Sequence, residues 1–171
     1  MLPSARKFPF SDPAWIFEPK WDGYRALCLI EDDSVRFMSR NKKELTKRFP
    51  ELTTIHRSIK AHSTILDGEI VGLDENDLPC FENLQNRKLC LIVYFAFDCL
   101  MLNGNDLRNE PLVVRKGVLK RILKNRLASG IRITLCKKGR SYLSRLRKPD
   151  SRELSLRRRI AATLEGGLKT G

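Results

Sequence analysis

Phe17-Glu18-Pro19-Lys20-Trp21-Asp22-Gly23-Tyr24-Arg25 is the stretch on which the reading of this chain turns. In an extended backbone, residues two apart share a face. Glu18, Lys20 and Asp22 then point the same way. A lysine between two carboxylates reads first as a surface ion pair. It also reads as a nucleophile, and then the amine must lose its proton before it attacks. Burial or neighbouring cations lower a lysine pKa, whereas the flanking carboxylates raise it. Activation of Lys20 therefore has to come from a bound metal or from other basic residues.

The surrounding sequence has a mixed pattern. Trp15 to Glu18 is a short strand candidate. Tyr24 to Ile30 and Val35 to Met38 are apolar-rich and flank Glu31-Asp32-Asp33-Ser34, which predicts a hairpin. Pro50 suits a helix start, and Leu52, Ile55 and Ile59 follow at helical spacing. Thr64 to Leu73 reads as a strand interrupted by Gly68 and Gly72. Leu89 to Leu100 is long, apolar and aromatic, as a central buried strand is. Asn103-Gly104 signals a turn. Pro111 opens a helix to about Leu127 with Val118, Leu119, Ile122 and Leu123 on its apolar side, and Ile131 to Leu135 is a further strand. Strands and helices do not alternate regularly, so the expected class is α+β with an antiparallel sheet.

Composition narrows the classes of function. The chain has 171 residues, 42% hydrophobic and 31% charged, which excludes a disordered chain and is enough to bury a core. Lys plus Arg is 33 against 20 acidic residues, a formal charge of +13 that favours an anionic partner such as nucleic acid or nucleotide. Residues 136–171 hold 11 basic and 3 acidic side chains, so over half of the net charge sits in this last segment. The expected division is therefore residues 1–135 as one domain and 136–171 as a basic tail. That tail reads equally as a basic helix, a disordered arm or a solvated charge run. No apolar run reaches eighteen residues, and Met1 to Phe10 lacks an apolar core, so neither a membrane helix nor a secretory signal is expected. Five cysteines without a CxxC pair disfavour a disulfide framework and a zinc ribbon, and a cytoplasmic location is expected.

Lys20-Trp21-Asp22-Gly23-Tyr24-Arg25 resembles KxDGxR, the nucleotidyltransferase motif of ATP-dependent DNA ligases and their capping-enzyme relatives. Three further matches follow in order. Ser39-Arg40-Asn41 resembles the next motif and Leu66-Asp67-Gly68-Glu69-Ile70-Val71 the third. Phe95-Ala96-Phe97-Asp98-Cys99-Leu100 with Asn103-Gly104 resembles the aromatic motif after it. The wording Glu-Pro-Lys-Trp-Asp-Gly-Tyr-Arg is most similar to bacterial and archaeal ligases, including the ligase modules of the end-joining ligase D group. The resemblance covers about residues 14–135.

The resemblance implies an α+β, antiparallel-sheet adenylation domain that uses ATP and Mg2+. Lys20 would attack the α-phosphate and carry AMP, which passes to a 5′-phosphate at a nick in double-stranded DNA before a 3′-hydroxyl seals the strand, in DNA repair or recombination. Glu18 would hydrogen-bond the adenine amino group. Arg25 and Arg40 would lie near the nucleotide and its phosphates. Glu69 would contact the ribose and assist the metal, and Phe97 would stack on adenine, although its bland reading is a core phenylalanine. Gly68 would let the backbone approach the ligand. Glu165-Gly166-Gly167-Leu168-Lys169 resembles the fourth motif, one residue short, and makes Glu165 a second metal candidate. The later Lys-x-Lys motif and the oligonucleotide-binding domain have no counterpart. The expectation is a truncated, at best partly active ligase domain, monomeric, with a partner able to supply the absent domain and no membrane association. The alternatives are a catalytically inactive nucleic-acid-binding remnant and an RNA ligase or capping-type nucleotidyltransferase.

Overall fold

Ala26, Cys28 and Ile30 are buried while Leu27 and Glu31 between and beyond them are exposed, the period of two that gives a strand one inward face. The computed structural model describes residues 15–86, 90–123, 130–133 and 157–160. The strands are β1 (Trp15–Glu18), β2 (Tyr24–Glu31), β3 (Ser34–Ser39), β4 (Ser63–Leu73), β5 (Leu91–Leu102), β6 (Asn105–Asp106), β7 (Ile131–Ile133) and β8 (Arg157–Ile160). The α-helices are α1 (Phe81–Asn86) and α2 (Leu112–Ile122), and two 3-10 segments span Thr46–Arg48 and Pro50–Ser58. The expected α+β class with a mainly antiparallel sheet is what the chain adopts.

The chain falls into two units: residues 1–20, 111–113 and 135–171, and residues 21–110 and 114–134. In the first, β1 and β8 form an antiparallel pair with Glu18 opposite Arg157 and Trp15 opposite Ile160. Part of the basic segment is thus a strand, which was not among its expected forms. Backbone pairing to β1 satisfies donors and acceptors that a solvated charge run would leave to water. The rest of residues 134–171, Glu165 among them, lies outside the described residues.

In the second unit the sheet runs β3-β2-β4-β5-β6, with β7 added parallel to β5. The predicted hairpin turns at Asp32-Asp33, where Asp32 takes a φ of 49°. Asn103 (φ 47°) and Gly104 (φ 82°) make the turn into β6. Leu52, Ile55 and Ile59 are buried as their spacing predicts, but Pro50–Ser58 winds as a 3-10 helix rather than an α-helix. Residues at i and i+3 eclipse in that geometry, which suits Leu52 and Ile55 as one inward row.

One sheet face carries the main core. Ala26, Cys28, Phe37, Leu66, Ile70, Tyr94 and Ala96 pack there with Leu52 and Ile55 and with Val118, Leu119 and Ile122 of α2. The opposite face holds a smaller apolar group of Val71, Leu73, Val93 and Phe95, with Trp21 against it. Burial in the main core pushes the Cys28 thiol and the Tyr94 hydroxyl far above their ordinary pKa values. Among the described residues no helix is long and apolar enough to cross a membrane.

Gly117 sits inside α2, and beyond the helix's own backbone and its two chain neighbours no described atom lies within 4 Å of where a Cβ would lie. Gly117→Ala is therefore expected to stabilise the protein by about 0.5–1 kcal/mol through helix propensity alone. Urea denaturation checks this, and a lower midpoint would refute it.

Candidate active site

The smaller sheet face carries three of the candidate residues, Arg25, Glu69 and Phe97, because β2, β4 and β5 lie side by side. Arg25 on β2 stands opposite Glu69 on β4, and Glu69 stands opposite Phe95 on β5. As predicted, Asp67 and Glu69 share one face of β4, while Leu66 and Ile70 pack on the other.

Arg25 and Asp67 form a two-point ion pair. Arg25 Nη2 donates to Asp67 Oδ2 at 2.6 Å and Nε donates to Oδ1 at 3.1 Å. Hydrogen bonding to Asp67 raises the Arg25 pKa above its already high value, burial opposes this, and the charges of Asp67 and Glu69 add to it. A guanidinium has five N–H donors, and Asp67 takes two of them. The Arg25 guanidinium also lies 5.5 Å from the centre of the Phe97 ring, within cation–π range.

Two glycines have packing reasons that the sequence does not disclose. A Cβ on Gly23 would fall 2.1 Å from the Ile70 carbonyl oxygen, so only glycine lets the chain enter β2 across β4. A Cβ on Gly68 would fall 2.5 Å from Cζ of Tyr94 and 2.6 Å from the Phe95 carbonyl oxygen. On its Cβ side, Gly68 makes its close approach to β5 and to a buried tyrosine ring.

The remaining candidates are more dispersed. Glu18 is buried at the end of β1, and Lys20 follows it with an exposed side chain. Arg40 is exposed in the turn after β3. That turn is braced by Ser39, whose hydroxyl oxygen accepts the Lys43 N–H at 3.0 Å. Phe97 is only 6% exposed.

Residues without an assigned part in the sequence reading also touch β5. Trp21 stacks on Phe95 with ring centres 3.7 Å apart and planes 17° apart. Asp98 pairs with Arg115 of α2 through Nε at 2.8 Å and Nη2 at 3.0 Å. The Arg115 pKa is raised, first by this hydrogen bond. Lys116 Nζ donates to the Phe97 carbonyl oxygen at 2.6 Å. Alternation along β5 marks Phe95 and Phe97 as one stripe, but no local signal links them to residues on α2.

The chemistry of this donor set fits a nucleotide. An arginine held in place by a carboxylate can bind phosphate oxygens through parallel hydrogen bonds, and aromatic faces can take a base. Magnesium takes one or two carboxylates together with phosphate oxygens, which Glu69 can supply with a nucleotide present. Among the described residues no three metal-ligating side chains converge without one.

Comparison with known proteins gives the same direction. The family described as ATP dependent DNA ligase domain matches residues 5–138. The multifunctional non-homologous end joining DNA repair protein LigD of Mycobacterium tuberculosis is 36% identical over 107 residues, 62% of this chain and 14% of that protein. The Pseudomonas aeruginosa LigD is 38% identical over 116 residues, 66% of this chain and 14% of that protein. The structure of a mycobacterial DNA ligase D complexed with ATP and MES matches with a TM-score of 0.69 at 29% identity, covering 81% of this chain and 46% of that one. The chain thus spans 14% of the length of these two curated relatives.

Proposed function

The chain belongs to the ATP-dependent DNA ligase domain family, and from that premise we infer that it takes AMP from ATP onto Lys20 as the first step of joining DNA strands. The observation that carries the reading is the Arg25–Asp67 pair on a carboxylate-bearing sheet face, five residues after Lys20 in the chain.

In this mechanism the deprotonated Lys20 amine attacks the α-phosphorus of ATP. A nitrogen–phosphorus bond forms, the bond to the bridging oxygen breaks, pyrophosphate leaves and the amine proton passes to solvent. The AMP then moves to the 5′-phosphate at a nick in double-stranded DNA, and the 3′-hydroxyl displaces it to close the strand. Both later steps are again in-line displacements at phosphorus, which depend on positioning and charge neutralisation. Arg25 holds phosphate oxygens with the donors that Asp67 does not take. Glu18 accepts from the adenine amino group, Phe97 stacks on the base and Arg40 contributes positive charge. A magnesium ion held by Glu69, with Glu165 as the second candidate, would neutralise the phosphates when bound.

Residues 1–135 constitute the adenylating part in this reading and 136–171 a basic segment. The protein acts as a monomer in the cytoplasm.

Incubation with α-labelled ATP and Mg2+, followed by a denaturing gel, tests the reading. Label from ATP and none from GTP is the expected result, and label from GTP would move the chain to the capping-type chemistry. No label on a folded chain that still binds DNA in a strongly salt-dependent way would overturn it. That outcome would favour a nucleic-acid-binding remnant, a reading supported by the ten basic residues between Lys137 and Arg159.

A further inference from the structure

Phe97 occupies an irregular place in the sheet. Gly68 pairs with Ala96 and Asp67 with Asp98, so the register shifts by one at Phe97. Such a bulge re-aims the extra side chain. The bulge is held from α2. Lys116 donates to the Phe97 carbonyl oxygen at 2.6 Å, and Arg115 grips both carboxylate oxygens of Asp98. Arg115 Nη1 also donates to the Glu110 carbonyl oxygen, tying the loop before α2 to the same point. Asp98 Oδ1 in turn accepts the Cys99 N–H at 2.9 Å.

Lys116 is only 7% exposed. A buried ammonium is costly unless it is well hydrogen-bonded, and a plain apolar residue at this helix position would cover the sheet at lower cost. The bond to Phe97 is specific to the backbone of the one β5 residue whose ring lies under Arg25.

We propose that Lys116, supported by Arg115, is a positioning residue for nucleotide binding that acts through the Phe97 backbone. It fixes the bulge so that the Phe97 ring meets the base in one orientation while Arg25 above it holds phosphate oxygens. The inference rests on the nucleotide reading of the site and deepens it. Neither α2 residue touches the nucleotide.

The test is equilibrium binding to the full chain of a fluorescent ATP analogue, displaced by ATP or by inorganic tripolyphosphate. Lys116→Met keeps the length of the side chain and removes the donor. It is expected to weaken ATP binding about tenfold, the scale of one well-placed polar interaction. Binding of tripolyphosphate, which has no base, is expected to stay within about twofold of wild type. Lys116→Arg, which keeps a donor, is expected to restore most of the ATP affinity. It also serves as the folded variant should Lys116→Met fail to fold. Phe97→Leu combined with Lys116→Met is expected to bind ATP no more weakly than Phe97→Leu alone, because the two act in series. Equal weakening toward ATP and tripolyphosphate, or full additivity in the double variant, would overturn the proposal and leave Lys116 a helix–sheet tether only. Unchanged ATP binding in Lys116→Met would overturn it alone. Failure of the unaltered chain to bind ATP would overturn the nucleotide reading, and this inference with it.

Discussion

Lys20→Ala is expected to lose the covalent label from α-labelled ATP, a drop on the order of a thousandfold or more, since the attacking group itself is removed. The side chain is exposed, so its removal should leave the unfolding midpoint within about 0.5 kcal/mol of wild type. A lost label therefore reports chemistry rather than folding. Lys20→Arg is expected to be equally inactive, because a guanidinium keeps its proton in proteins and offers no lone pair to phosphorus. Nucleotide binding should survive in both variants, since Arg25, Glu69 and Phe97 are untouched. A denaturing gel run beside an ATP-binding titration separates the two quantities. Label persisting on Lys20→Ala would mean that another residue is the nucleophile, and the mechanism proposed for this chain would be abandoned.

A large structural effect is expected from Gly68→Ala. The new Cβ would sit 2.5 Å from the Tyr94 ring and 2.6 Å from the Phe95 carbonyl oxygen, both far inside van der Waals contact. Neither neighbour can yield. Tyr94 is fully buried, and its hydroxyl lies 3.0 Å from the Ala26 and 3.1 Å from the Leu66 carbonyl oxygens, which share its one proton. The Phe95 carbonyl belongs to the central strand pair β4–β5. A loss of about 3 kcal/mol, the upper end of overpacking effects, is the expected cost. Urea or thermal denaturation measures it. A midpoint within error of wild type would show that the sheet yields at this point. Nucleotide binding should fall with folding, because the same strand carries Asp67 and Glu69 on its opposite face.

Much of this fold is legible along the chain. Ala26, Cys28 and Ile30 alternate with less buried positions, Asn103-Gly104 supplies a turn with positive φ, and the apolar run before it has the length of a central strand. Leu52, Ile55 and Ile59 are correctly inward, although local spacing did not separate a 3-10 from an α-helix. The placement of Asp67 and Glu69 on one face followed from a period of two. The role of Gly68 did not, because the atoms that demand glycine belong to Tyr94 and Phe95, more than twenty residues away. Trp21 on Phe95 and Lys116 on Phe97 are likewise pairings between residues distant in the chain, with no mark in either neighbourhood.

The division has a physical basis. The sequence by itself determined the strand periods, the turns, the α+β class and the order of the ligase-like motifs, since each depends on residues within a few positions of one another. Only the tertiary structure decided that Asp67 braces Arg25, that Gly23 and Gly68 make room for β4 and β5, and that α2 holds the Phe97 bulge. Those contacts depend on register between distant strands. A shift of one residue, such as the one between Asp67 and Gly68, changes which side chains meet.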